Sequence, residues 1–180
     1  MLTAAPAVLE VRRAGDGSAT LAGSFAYGVE AELAPGRREV FEARAFRWKD
    51  DVHLLSQHEF AKPLARSSNG SLTLQNGADA LSFEARLSAR VLETQAARDA
   101  LALVEEGLAA GVSPGFMVAP DGVEVRKAGD GLLRVVKRAE LVELSIVTRP
   151  AYEGATVSAR SWDQTGKRFP DRGARFRWRA

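Results

Sequence analysis

The sequence predicts a β-rich α+β domain, and three observations carry that prediction. Apolar residues alternate with polar ones in short runs, turn dipeptides separate the runs at high density, and one stretch switches to a helical period. A chain of 180 residues fits one ordinary domain with a tail. Such a chain buries roughly 70% of the surface its unfolded form exposes. The hydrophobic share of 46% and charged share of 27% argue against wholesale disorder.

Taken in order, Val8, Val11 and the stretch 20–29 flank Asp16-Gly17, a hairpin signal. Leu72 and Leu74 alternate with polar residues ahead of Asn76-Gly77, and Leu81, Phe83, Ala85 and Leu87 alternate after it. Between 94 and 110, Ala97, Ala100, Leu101, Val104 and Leu108 recur at three and four, which predicts a long helix. Thr94 is suited to cap its start, and Gly111 to end it in a left-handed turn. Phe116 and Val118, then Val123 and Val125, flank Asp121-Gly122. Gly129-Asp130-Gly131 precedes a further run from Leu132. Turn signals this dense predict antiparallel sheet, folded as a sandwich or a barrel. The domain covers 8–160. Over 160–180, seven basic residues stand against two acidic ones, a net +5, so the rest carries −3. Such a basic tail is either solvated or docks on an acidic surface.

Several function classes drop out early. With no cysteine there is no disulfide framework, thiolate metal site or cysteine nucleophile. Two histidines, His53 and His58, leave little for a histidine metal cage. No apolar run approaches the roughly 20 residues that span a bilayer. The first fifteen residues lack the pattern of a secretory signal.

The segment Gly111-Val112-Ser113-Pro114-Gly115 matches G-x-S-x-G, but a nucleophile elbow needs a strand before the serine and a helix after it. Here the order is reversed, and both histidines precede the serine, so the elbow reading fails. Ser113 remains open as a nucleophile or as a small turn residue after the helix. A serine nucleophile needs a base, and alternation along 52–58 sends His53 and His58 to opposite faces. Within 139–147, Glu140 and Glu143 face opposite ways. Leu141 and Val147 share the face of Glu143 and are placed to carry it inward, where its charge requires a partner. Asp50, Asp51, His53, His58 and Glu59 also make a metal-hydrolase reading. His58-Glu59-Phe60-Ala61-Lys62 lacks the second histidine of H-E-x-x-H, however.

Three blocks now stand in order: Ser56-Gln57-His58-Glu59, Gly111-Val112-Ser113-Pro114-Gly115-Phe116, and the run 141–152 from Leu141-Val142-Glu143-Leu144-Ser145 to Arg149-Pro150-Ala151-Tyr152. Together with Gly23-Ser24-Phe25-Ala26-Tyr27 and Phe41-Glu42-Ala43-Arg44-Ala45-Phe46, this succession resembles the prohead (capsid maturation) proteases of tailed bacteriophages. That family is related in fold to the herpesvirus assemblins, serine proteases built on a small β-barrel ringed by helices. The resemblance implies His58 as base, Ser113 as nucleophile and Glu143 as the orienting third member, with no cofactor and no metal. It implies a capsid protein precursor or scaffolding segment as substrate, cleaved inside an assembling prohead in the bacterial cytoplasm. Self-cleavage and a homodimer stay open; nucleic acid is disfavoured as a partner, and no membrane is involved.

The chain departs from the family pattern at Arg44, where glycine is common, and at Glu59, where aspartate commonly follows the histidine. Pro114 lacks the N–H that many serine hydrolases aim at the oxyanion, leaving Gly115 N–H or the Arg149 region as donors. A non-catalytic assembly module of the same fold, and a basic-tailed protein associated with nucleic acid, are the competing readings.

Overall fold

The structure, a computed structural model, describes residues 9–148. The first strands are β1 (Leu9–Arg13), β2 (Ala19–Ala26), β3 (Ala31–Ala34), β4 (Arg37–Phe41) and β5 (Phe46–Arg47). They are followed by β6 (His53–Ser56), β7 (Glu59–Arg66), β8 (Leu72–Asn76) and β9 (Ala80–Leu87). Two helices, α1 (Ala89–Leu92) and α2 (Gln95–Glu105), lead into β10 (Gly111–Val118). The last three strands are β11 (Val123–Ala128), β12 (Gly131–Val136) and β13 (Ala139–Val147).

The alternation of β2, buried at every odd position from Ala19 to Phe25, gives it one core face. It pairs with β1 and β9 in the antiparallel sheet β1-β2-β9-β8. Asp16-Gly17 sits in the β1–β2 hairpin connection, and Asn76 ends β8 with Gly77 opening the connection to β9, as their composition predicts. Gly129-Asp130 closes the β11–β12 hairpin in two residues, with Gly129 at φ +64°.

Four expectations need correction. Asp121-Gly122 does not close a hairpin: β10 pairs with β13 and β11 with β12, so this turn carries the chain between sheets. The glycine is required by crowding, because a Cβ there would lie 2.0 Å from the Arg138 carbonyl oxygen. Helix α2 starts as expected, with the Thr94 hydroxyl accepting from Ala97 N–H, but it stops at Glu105. Gly107, at φ +67°, provides the left-handed exit, and Gly111 opens a strand instead. Nor is the sheet purely antiparallel. β12 runs parallel to β4, and β13 runs parallel to both β5 and β6. Among the described residues there are three sheets and no closed barrel, and the helices do not ring them.

The core lies between the sheet β1-β2-β9-β8 and the sheet β10-β13-β6-β7 and takes in Ala97, Ala100 and Leu101 of α2. Phe25, Phe41, Phe46 and Phe116 pack edge-on or stacked with ring centroids 5.0–5.8 Å apart. Tyr27 borders them and donates to Asn76 Oδ1 at 2.6 Å, while Asn76 Nδ2 donates to the Phe46 carbonyl. Burial pushes the Tyr27 hydroxyl up to about 12. Arg44 stands at φ +57° in the turn closed by Ala45 N–H on the Glu42 carbonyl, which explains why glycine suits that position. No helix among the described residues is long and apolar enough to cross a membrane.

Candidate active site

β13 occupies the middle of its sheet, between β10 and β6, and is buried over most of its length although it carries Glu140, Glu143 and Ser145. Ala139, Leu141, Leu144 and Ile146 belong to the main core, a set that does not keep a strict period of two. The break is a bulge. Gly115 pairs with Glu143 but Phe116 pairs with Leu141, so Val142 is the extra residue. It reverses the alternation, so that Leu141 turns into the core and Glu143, Ser145 and Val147 take the opposite face. The expectation that Leu141 shares the face of Glu143 is therefore wrong. Without the bulge the carboxylate would point into the hydrocarbon core.

Glu143 is nonetheless only 5% exposed, and a carboxylate so placed must be satisfied by donors. Each oxygen has one. Oε1 lies 2.8 Å from His58 Nδ1, and Oε2 accepts from the Ser145 hydroxyl at 2.6 Å. A carboxylate partner requires the proton on Nδ1, which leaves Nε2 of the neutral ring as the basic nitrogen.

His58 does not sit in a strand. Ser56 pairs with Glu59, so Gln57 and His58 form a two-residue hairpin loop at φ +55° and +60°, the signature of a type I′ turn. The strand alternation used to separate His53 from His58 does not apply across that turn. Neither residue is a glycine, so the turn needs external support. Gln57 N–H donates to the Ile146 carbonyl at 2.9 Å, and His58 N–H donates to Ser145 Oγ at 3.0 Å. Both anchors belong to β13.

Ser113 is the third residue of β10, inside a strand and not in a turn, and it is almost fully buried. It pairs with Ser145, so the two side chains share a face with Cβ atoms about 5 Å apart. The structure thus brings Ser113, Glu143 and His58 to one side of the sheet. Among the described residues, no hydrogen bond joins Ser113 to His58 or Glu143. Gly115, which faces Glu143, has a demand of its own: a Cβ there would lie 2.1 Å from Glu143 Oε1.

The remaining candidates are engaged elsewhere. His53 lies 3.7 Å from Asp51 and packs edge-on against Phe60. Asp51 accepts from the Ser67 hydroxyl and Ser68 N–H and pairs with Arg66, holding the turn after β7. Burial pushes its carboxyl upward, but those hydrogen bonds prevail and hold it at about 2. Glu59 pairs with Lys62. Arg149 and the basic tail lie outside the described residues. Sequence reasoning missed Ser145; a small hydroxyl two residues beyond Glu143, on the same strand face, was the available signal.

The sequence matches the caudovirus prohead serine proteases over residues 8–168. The chain belongs to that family. No curated protein and no solved structure matches it. Membership in the prohead protease family supports a role in capsid maturation, acting within the assembling capsid on capsid protein.

Proposed function

We propose that the chain is a serine endopeptidase with Ser113 as nucleophile, His58 as base and Glu143 as the residue that orients and charges the imidazole. The observation that carries this reading is the 2.8 Å contact of His58 Nδ1 with buried Glu143, on the sheet face that bears Ser113. Ser113 Oγ attacks the scissile carbonyl carbon while its proton passes to His58 Nε2. The C–N bond then breaks as that proton moves to the leaving amine. Water, deprotonated by the same nitrogen, hydrolyses the acyl-enzyme and frees Ser113. The substrate is a capsid precursor or its scaffolding segment, cut inside the prohead. The bond between nucleophile and base is commonly long before substrate binds, so its absence here is compatible with the mechanism.

That same absence favours the second reading, a non-catalytic assembly module. Incubation with the cognate capsid precursor separates the two. Wild type should process it, while Ser113→Ala and His58→Ala should lose about a million-fold in turnover, as in the subtilisin precedent. Cleavage by Ser113→Ala at a substantial rate would sink the serine mechanism.

The basic segment after Arg160 is proposed as a targeting element outside the 8–160 protease domain, from its charge: six basic residues against two acidic ones, a net +4. Protein truncated after Arg160 should react like full-length protein with a small fluorophosphonate. It should bind precursor more weakly and with a shallower salt dependence. Unchanged binding in a salt titration would dismiss the targeting role.

A further inference from the structure

We propose that Ser145 is a positioning residue of the site, a single hydroxyl that locks the His58 turn and the Glu143 carboxylate into one unit. The inference rests on the protease reading above and adds a fourth member to it. Ser145 is fully buried, and both capacities of its hydroxyl are used within the site. It donates to Glu143 Oε2 at 2.6 Å and accepts from His58 N–H at 3.0 Å. Glu143 in turn receives His58 Nδ1 at 2.8 Å. The four contacting groups form a closed ring: His58 backbone, Ser145 hydroxyl, Glu143 carboxylate and His58 imidazole.

Such a ring constrains what neither bond constrains separately. The Glu143–His58 contact sets the distance from imidazole to carboxylate, but it lets the ring swing about that contact. The Ser145 bond holds the histidine backbone, so the side chain is fixed at both ends. This matters because Gln57 and His58 both occupy left-handed φ, which non-glycine residues adopt only where surroundings hold them. Of the two bonds that hold the turn, the one from Gln57 is backbone to backbone and survives any side-chain change. The one from His58 depends entirely on the hydroxyl of residue 145. Ser145 also stands directly opposite Ser113 in the β10–β13 ladder, so the same strand position sets the imidazole against the nucleophile. Misplacing a base by about 1 Å costs on the order of a hundredfold in rate.

The test uses the full chain and a fluorophosphonate probe, whose acylation of Ser113 needs no knowledge of the cleavage sequence. Ser145→Ala should lower the maximal acylation rate by about 10- to 100-fold and leave the half-saturating probe concentration within about twofold. Ser145→Thr, which keeps the hydroxyl, should recover most of that loss. Hydrogen exchange at the His58 amide should accelerate at least about tenfold in Ser145→Ala, while the Gln57 amide keeps its protection. Wild-type acylation by Ser145→Ala, with His58→Ala inert, would overturn the proposal and leave the protease reading intact. So would equal losses in the alanine and threonine variants at equal melting temperature. Normal labelling of His58→Ala would instead remove the protease reading. In that case the His58 amide exchange still decides whether Ser145 holds the turn, and unaltered exchange overturns that too.

Discussion

Adding one methyl group at Gly115 should disable the site while leaving the side chains of Ser113, His58 and Glu143 chemically intact. The three closest atoms to a Cβ built there all belong to Glu143: Oε1 at 2.1 Å, Cδ at 2.7 Å and Cγ at 2.8 Å. An ordinary contact begins near 3.4 Å, so in Gly115→Ala the carboxylate must retreat by about 1.3 Å or the two strands must part. A retreat of that size exceeds what the 2.8 Å bond to His58 and the 2.6 Å bond from Ser145 can absorb. Removing the orienting acid of a serine triad costs about ten-thousand-fold, and a misplacement of about 1 Å roughly a hundredfold. Acylation of Ser113 by a fluorophosphonate should therefore fall by about 10²- to 10⁴-fold. Overpacking should cost about 1–3 kcal/mol of stability, a few degrees of melting temperature per kcal/mol, so the variant remains folded at 20 °C. Alanine keeps the residue-115 N–H that the sequence offers as an oxyanion donor. A loss therefore traces to the methyl group and not to a missing donor. Gly115→Ala acylating within threefold of wild type, with an unchanged melting temperature, would refute the placement of Glu143 over Gly115.

Three further outcomes follow from the geometry. His53→Ala should acylate within about threefold of wild type, since His53 faces Asp51 and Phe60; a loss matching His58→Ala in the same labelling assay would reverse the two histidines. The Asp51 carboxyl, held at about 2 in the folded protein, lies below its unfolded value of about 3.9, so its contribution to stability is complete above that value and drains away as pH falls towards 2. Urea midpoints of Asp51→Asn should accordingly vary less between pH 4 and 2 than those of wild type, and parallel slopes would contradict the assignment. Arg44→Gly should raise stability by up to about 1 kcal/mol, because relief of the left-handed φ outweighs the added freedom of the unfolded chain; a lowered melting temperature would show that the Arg44 side chain carries an interaction worth more than the strain.

Much of this protein was legible before its structure. The hairpins at Asp16-Gly17 and Gly129-Asp130 and the Thr94 helix cap are local, since they depend on φ preferences and hydrogen bonds a few residues long. The succession of motifs that carries the family resemblance was likewise readable. Alternation, however, states which way a residue faces, not which strand lies beside it. The parallel contacts of β13 with β5 and β6 bring together segments far apart in sequence, and nothing local specifies them. The bulge at Val142 is of the same kind: it appears only when two strands are laid side by side, yet it turns Glu143 out of the core. The turn at Gln57-His58 lacks the glycine or asparagine that marks a type I′ turn, because hydrogen bonds from its N–H groups to β13 replace intrinsic preference. Sequence by itself thus determined the residue types, the local turns and the family, all set by short-range chemistry. Only the tertiary structure decided that Gly115 crowds Glu143 and that the Ser145 hydroxyl joins Glu143 to the His58 turn, because these contacts depend on which segments lie side by side.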